Sequence, residues 1–310
     1  MSMENNEYIF IINMNDANQR LDMFLTKKLE FSRSRVQKLI KENNCIIDEK
    51  ICTSPHFKLK VNSTIKVKVE PENKPVVYSD KIKEDPIVLL ETDGYLVINK
   101  PSGLMVHPAK NNPQITLVDW LLKKYPQVKS VGENPERPGI IHRLDKDVSG
   151  AMLIALNQKT YTYFKKQFQN HLIKKTYTAL VHGKLGSAEM LIDFPLIRSR
   201  RVGRIVARPK ETNEGREAQT ILTLEKQFQQ TALVYCQPIT GRTHQIRVHC
   251  KAVGHPIVGD PVYGLKKSSL KPGRIFLHST KVEFTDENKN PVEINCPLPE
   301  ILGEFLKTIN

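Results

Sequence analysis

The chain is short of the residues that staple, anchor or energise proteins. Its five cysteines, Cys45, Cys52, Cys236, Cys250 and Cys296, are odd in number and scattered, with no C-x-x-C pair. They are therefore expected to be reduced thiols in a cytoplasm rather than a disulfide framework or a thiolate zinc site. Long apolar runs are missing as well. Tyr8 to Ile12 is too short for a signal-peptide core, and no uninterrupted run is long enough to span a bilayer, so a soluble cytosolic protein is expected. There is no dinucleotide fingerprint, no G-x-x-x-x-G-K-[ST] loop and no H-E-x-x-H pair, so the usual sequence signs of nucleotide, phosphate-loop and zinc-peptidase chemistry are absent.

Acidic residues are also in deficit. Against 47 Lys+Arg stand 33 Asp+Glu, leaving a net charge of +14 and a pI near 9.5, a surplus that attracts polyanions. Nucleic acid is the expected partner. An anionic membrane is the competitor, but no long basic amphipathic helix serves it. At 310 residues the chain exceeds what one core usually organises, so a large domain with a smaller companion is expected.

Residues 17–75 form the smaller unit. Leu21, Phe24, Leu25 and Leu29 recur at helical spacing, Ser32 offers an N-cap, and Val36, Leu39 and Ile40 share one face of a second short helix. Ile46, Ile47 and Ile51 flank an Asp48-Glu49-Lys50 turn, and Ile65, Val67 and Val69 alternate with lysines as in a half-buried strand. Residues 76–85 continue a Pro-, Asn-, Glu- and Lys-rich stretch that reads as a linker. Residues 86–310 alternate strand-like runs (Pro86 to Leu90, Tyr95 to Asn99, Gly150 to Leu156, Thr176 to Val181) with amphipathic helices (Leu117 to Leu122; the Tyr161, Phe164 and Phe168 stripe). That alternation predicts an α+β domain on a largely antiparallel, mixed sheet. The basic run Arg198 to Arg208, with Arg200, Arg201 and Arg204, reads as an exposed loop or hairpin, either embracing nucleic acid or simply solvated.

The most informative segment is Ile141-His142-Arg143-Leu144-Asp145-Lys146-Asp147-Val148-Ser149-Gly150, which sets a carboxylate, Asp145, among cations that favour its charged form. An ordinary ion pair gives the same pattern, so company elsewhere in the chain decides. Asp147 suggests a two-carboxylate glycosidase, but residues two apart in a loop do not guarantee carboxyl groups about 5–9.5 Å apart across a sugar. The histidines His107, His142, His244, His249, His255 and His278 lie in segments of different kinds, so no metal site is expected and hydrogen bonds to loops or phosphates are.

The motif H-R-L-D-x-x-x-S-G resembles the catalytic motif of RluA-type RNA pseudouridine synthases. The resemblance extends in order through Asn99-Lys100-Pro101-Ser102-Gly103-Leu104 with Val106-His107-Pro108, Lys174-Lys175-Thr176-Tyr177-Thr178-Ala179-Leu180-Val181, Thr240-Gly241-Arg242-Thr243-His244-Gln245-Ile246-Arg247, Gly259-Asp260-Pro261-Val262-Tyr263-Gly264 and Phe276-Leu277-His278-Ser279. Arg20-Leu21-Asp22, Phe24-Leu25, Ser32-Arg33-Ser34-Arg35 and Gln37-Lys38-Leu39-Ile40 resemble an S4-type RNA-binding domain. One departure is Val148, where the family usually carries Thr.

The resemblance implies a pseudouridine synthase fold and cofactor-free isomerisation of uridine. Asp145 would be the nucleophile, or the base of a glycal route. Arg242 would be the salt-bridge partner of Asp145, with a phosphate contact or helix-start surface residue as its alternative. Tyr177 would stack on the base and assist proton removal at C5, with ordinary core packing as its alternative. Ile246 and Leu277 would line or support the uracil pocket. Arg143 would serve RNA binding by filling the space of an extruded nucleotide, with an ion pair to Asp147 as its alternative. Arg20, Arg33, Arg35 and Lys38 would grip RNA phosphates. Ribosomal RNA, 23S first, is the expected target and tRNA the second; a monomer without membrane or metal partners is expected.

Overall fold

The computed structural model describes residues 7–29, 31, 33–69, 84–108, 114–199, 202–212 and 214–309. Ser32, Arg200, Arg201, the Arg35 side chain and residues 76–83 of the expected linker lie outside the described residues. The chain divides into two compact units, residues 1–76 and 77–310.

In the N-terminal unit, β1 (Glu7–Ile11) is followed by α1 (Leu21–Leu29), α2 (Arg33–Lys41), β2 (Cys45–Ile47), β3 (Lys50–Ile51) and β4 (Thr64–Lys68), the strands lying in the order β1-β4-β2-β3. The run Tyr8 to Ile12 supplies most of this edge strand, so the sheet begins upstream of residue 17. Leu21, Phe24 and Leu25 of α1 and Val36 and Ile40 of α2 close over Ile47, Ile65 and Val67 in one core. Strand alternation puts Lys66 and Lys68 on the other face of β4, away from that core.

The larger unit contains β5 (Ile87–Glu91), β6 (Tyr95–Lys100), α3 (Leu117–Lys124), β7 (Ser149–Ala155), α4 (Gln158–Gln169), β8 (Lys174–His182) and β9 (Glu189–Asp193). It continues with the hairpin β10 (Leu196–Arg198) and β11 (Ile205–Ala207), then β12 (Gln219–Gln227), β13 (Thr231–Pro238), α5 (Gln245–Ala252), β14 (Leu277–Thr285), β15 (Pro291–Asn295) and α6 (Glu300–Lys307). Among the described residues nine strands form one sheet in the order β5-β6-β7-β14-β8-β13-β12-β9, with β15 paired to β14. Its pairs are antiparallel except β7 with β14, the mixed α+β architecture expected of the sequence.

The strands β6 and β7 read as continuous apolar runs because both of their faces are covered. Leu96, Ile98, Met152 and Ile154 pack with Leu117 and Leu121 of α3. On the opposite face Tyr95, Val97 and Leu153 pack with Phe164 of α4 and Phe284 of β14, whose rings meet Tyr95 and each other edge to face at 5.2–5.5 Å. Each such side chain removed from water contributes roughly 1.5–3 kcal/mol, which makes this the rigid floor on which the loop 141–148 rests.

Gly150 joins that loop to β7. Its φ is +120°, and a Cβ there would lie 2.3 Å from the carbonyl oxygen of Ser279 on the neighbouring parallel strand. Backbone at this distance has nowhere to go. Gly150→Ala is therefore expected to cost about 3 kcal/mol or more in chemical denaturation, from strain added to a steric clash; an unchanged denaturation midpoint would show that the two strands are not in this register.

Candidate active site

Asp145 sits in the loop that feeds β7, and that loop is held through its main chain. The ammonium of Lys100, wholly buried, donates to the carbonyls of Pro101, Leu104 and Lys146 at 2.8, 2.8 and 3.2 Å. Burial pushes the Lys100 pKa down, and the charge of Arg274 adds to this, while three carbonyl acceptors match the three protons of the charged form. The amide of Gly103 also donates to the Lys146 carbonyl, and Ser102 Oγ to that of Asp147. Val148, in place of the usual Thr, is buried in the main core, and its amide bonds to the Asp145 carbonyl at 3.2 Å.

The guanidinium facing Asp145 belongs to Arg247. Its Nη1 donates to Asp145 Oδ2 at 3.0 Å, while Nε and Nη2 make a two-pronged bond to Asp260 at 2.7 and 2.9 Å. Asp260 also accepts from the amides of Val262 and Tyr263. Burial alone would raise the Asp260 pKa, but Arg247 and the two amides outweigh it and hold the carboxyl below its usual range. Arg247 loses solvent too, but the two carboxylates more than compensate and its pKa is raised. The Tyr263 ring lies 5.2 Å beneath the guanidinium, and its hydroxyl shares a 2.9 Å hydrogen bond with Nδ1 of His244.

The partnership expected for Arg242 is thus corrected. His244 has a left-handed backbone, φ 56°, and the helix α5 starts only at the next residue. Arg242 lies before this reversal, where its Nε donates to the Glu217 carbonyl and its amide to Gln245 Oε1. Arg247, in the first turn of α5, is the residue brought onto Asp145. Both arginines stand in the single segment Thr240 to Arg247, and the helix register beyond His244 is what separates them.

Around this pair lies a cavity of about 610 Å3, within the usual range for ligand pockets. Asp145, Tyr177, Ile246, Leu277, Arg143 and Arg242 all line it. Asp145 retains 17% side-chain exposure, and among the described residues Oδ1 has no hydrogen-bond partner. It is the one carboxylate in the lining, against the cations Arg143, Lys165, Lys175, Arg242 and Arg247. Tyr177 is buried on β8, and burial together with the nearby Asp145 charge raises its pKa, so it stands as a neutral phenol. Ile246 and Leu277 are buried apolar walls.

Arg143 does not pair with Asp147. Its Nη1 lies 2.8 Å from Nε2 of His107, whose Nδ1 lies 3.0 Å from the Pro108 carbonyl. Since Nδ1 must donate to that carbonyl, Nε2 is left to accept from the arginine. Burial lowers the His107 pKa, and the Arg143 charge adds to this, which suits the neutral tautomer. His107→Ala is expected to raise the KM for the substrate of this cavity about ten-fold, the loss of roughly one charged hydrogen bond. In His107→Gln, an amide oxygen near the Nε2 position should restore most of it. Equal KM values for all three proteins would dissociate His107 from the arginine.

Of the residues expected to grip RNA from the N-terminal unit, Arg20 and Arg33 are both bonded to Asp22, a buried carboxylate that also accepts from Gln37. Burial opposes the charge on Asp22, but these four donor contacts hold its pKa well below the carboxylate range. Arg33, with Gln37, therefore ties α2 to α1 through Asp22, which Arg20 holds from the start of α1, while the two arginines remain 38% (Arg20) and 52% (Arg33) exposed. Lys38 is exposed beside Glu42. The described residues of the basic run include Arg198 at the end of β10 and all of β11, which pair antiparallel, and Arg204 donates to the Val262 carbonyl and lies against the Tyr263 ring.

The histidines are used singly. His142 Nε2 accepts from the Leu153 amide, His249 bonds Thr220 and the Phe194 carbonyl, His255 the His182 carbonyl, and His278 Ser149. Among the described residues no group of three metal-ligating side chains converges, and no helix is long and apolar enough to cross a membrane.

Known proteins resemble this chain in sequence and in fold. Residues 94–252 match the RNA pseudouridylate synthase family model, and residues 19–65 match that of the S4 domain. The chain is 33% identical to an uncharacterised RNA pseudouridine synthase of Bacillus subtilis, YlyB, over 94% of each chain. It is 34% identical to ribosomal large subunit pseudouridine synthase D of Nitrosomonas europaea, over 95% of this chain and 86% of that one. Among solved structures, human RNA pseudouridylate synthase domain containing 1 superposes with a TM-score of 0.58 at 26% identity, over 71% of this chain and 86% of that one.

Proposed function

Because the chain belongs to the RNA pseudouridylate synthase family, and is by that membership an RNA-modifying isomerase, we propose that it converts uridines of large-subunit ribosomal RNA to pseudouridine with Asp145 as the reacting group. The observation carrying this reading is the half-engaged carboxylate: Arg247 fixes Oδ2, Oδ1 has no protein partner among the described residues, and every other charged side chain in the cavity lining is Lys or Arg. The relatives named for the ribosomal large subunit support the choice of RNA, and the S4 domain supports RNA as the partner class.

The reaction exchanges the C1′–N1 bond for a C1′–C5 bond within a single nucleotide. A proton leaves C5 and N1 gains one, with no net redox change, so the chemistry calls for no cofactor. The free oxygen of Asp145 either attacks C1′ as N1 departs, or takes a proton from the neighbouring sugar carbon to give a glycal. The released uracil turns over against Tyr177, walled by Ile246 and Leu277, until C5 faces C1′. Arg143, held by His107 in the free protein, fills the space left when the nucleotide leaves its stack. Its working compartment in this reading is the cytoplasm.

The test is incubation of the protein with large-subunit ribosomal RNA carrying labelled uridine, followed by digestion to nucleosides. Label appearing in pseudouridine supports the reading. Free labelled uracil would instead identify a glycosylase, and unchanged uridine would reject ribosomal RNA as the substrate.

A further inference from the structure

Resting on the reading above, we propose that Lys175 anchors a phosphodiester flanking the target uridine, in a lobe of the cavity built by the last turn of α4 and the first residues of β8. Lys175 and Tyr177 stand two apart on β8 and so project from the same face, roughly 7 Å apart along the strand, the scale of one nucleotide. Both line the cavity that holds Asp145.

Lys175 is a cation without a counter-charge among the described residues. Among the described residues its Nζ has neither a hydrogen-bond acceptor nor a carboxylate partner, and burial pushes its pKa down to about 8. Its neighbours do not supply what is missing. Lys165, on the same lobe, is already paired with Glu133, and the lysine or arginine bonded to Asp145 is Arg247, not Lys175. His142 uses Nε2 to accept from the Leu153 amide, and burial keeps its ring neutral.

What the fold does supply is aim. The ammonium lies 5.4 Å from the centroid of the Phe168 ring, and that ring stacks on His142 with centroids 4.7 Å apart. An aromatic face steadies an ammonium without neutralising it. With Phe168 engaged by both His142 and Lys175, this lobe is not arranged to stack a base. A desolvated charge without a partner is costly unless a ligand completes it, and the ligand that accompanies an extruded uridine is its own anionic backbone.

The test uses fluorescently labelled pentauridylate and versions in which each phosphodiester in turn is replaced by a neutral methylphosphonate. With wild-type protein, neutralising one linkage is expected to weaken binding about ten-fold, the scale of one charge-assisted contact. Lys175→Met should bind the unmodified oligomer as weakly and be indifferent to that same replacement. Lys175→Gln should behave alike, providing a second variant if the first folds poorly, and Lys175→Arg should retain the linkage dependence. The proposal is overturned if every linkage has the same effect in wild type and variants, if the oligomer does not bind wild type at millimolar concentration, or if Lys175→Met loses turnover with binding unchanged. Pseudouridine formation in ribosomal RNA is measured separately: product without linkage coupling sinks the subsite alone, and coupling without product sinks the functional reading alone.

Discussion

Asp145→Asn is expected to lower pseudouridine formation on the order of 10⁴-fold or more, the scale seen when a reacting side chain is removed from an enzyme, while RNA affinity stays near that of wild type. The amide keeps the volume of the carboxylate but presents no anionic oxygen to C1′ or to a sugar proton. It also replaces the Arg247–Asp145 ion pair at 3.0 Å with a neutral contact. Arg247 retains Asp260, so the fold should stand. Product analysis after single-turnover incubation measures the first effect and filter retention of the RNA the second. Turnover near the wild-type rate would remove Asp145 from the chemistry, whatever its position in the cavity.

Arg247→Met is expected to damage both activity and stability. Asp260 is wholly buried, and without the guanidinium it keeps only its bonds to the amides of Val262 and Tyr263. Breaking such a pair from one side costs about 3–5 kcal/mol, with the lower end expected here because the amides remain. In a unit of this size that is a fall of roughly 6–12 °C in the thermal midpoint.

The pH dependence has a definite sign. The Asp260 carboxyl is held below its ordinary value, so its contribution is complete above about pH 4 and is lost as the pH falls through the lowered folded value. The stability gap between wild type and Arg247→Met should therefore be widest near neutral pH and narrow on acidification, as denaturation series at several pH values would measure. Arg242→Lys, by contrast, should leave turnover and stability close to wild type, because Arg242 bonds the Glu217 carbonyl and not Asp145. Equal losses from the two arginines would reverse this assignment.

The strands and helices were legible wherever burial follows a simple period. Leu21, Phe24, Leu25 and Leu29 marked α1, and the double-sided cover of β6 and β7 showed as unbroken apolar runs. Asp145 stood out only through the resemblance of its motif and of the segments that follow it in order, since an ordinary ion pair gives the same local pattern. Arg247 did not, since choosing between two arginines five residues apart depends on a left-handed residue at His244 that no composition rule announces. Tertiary pairings such as His107 with Arg143, or Asp22 with Arg20 and Arg33, were hidden for the same reason. In the N-terminal unit this changed the meaning of the residues: arginines that look like free phosphate hooks also close an internal carboxylate.

The fastening of the 141–148 loop has a consequence for how freely this protein can drift. Lys100, Ser102 and Gly103 hold the loop by the carbonyl oxygens of residues 146 and 147, groups that every amino acid shares. The posture of Asp145 thus rests on the main chain at those two positions more than on their side chains, which bond Gln114 from Lys146 and lend charge to Arg274 from Asp147. A saturation library at Lys146 and Asp147 should tolerate most replacements, while Lys100 next door in space should tolerate almost none.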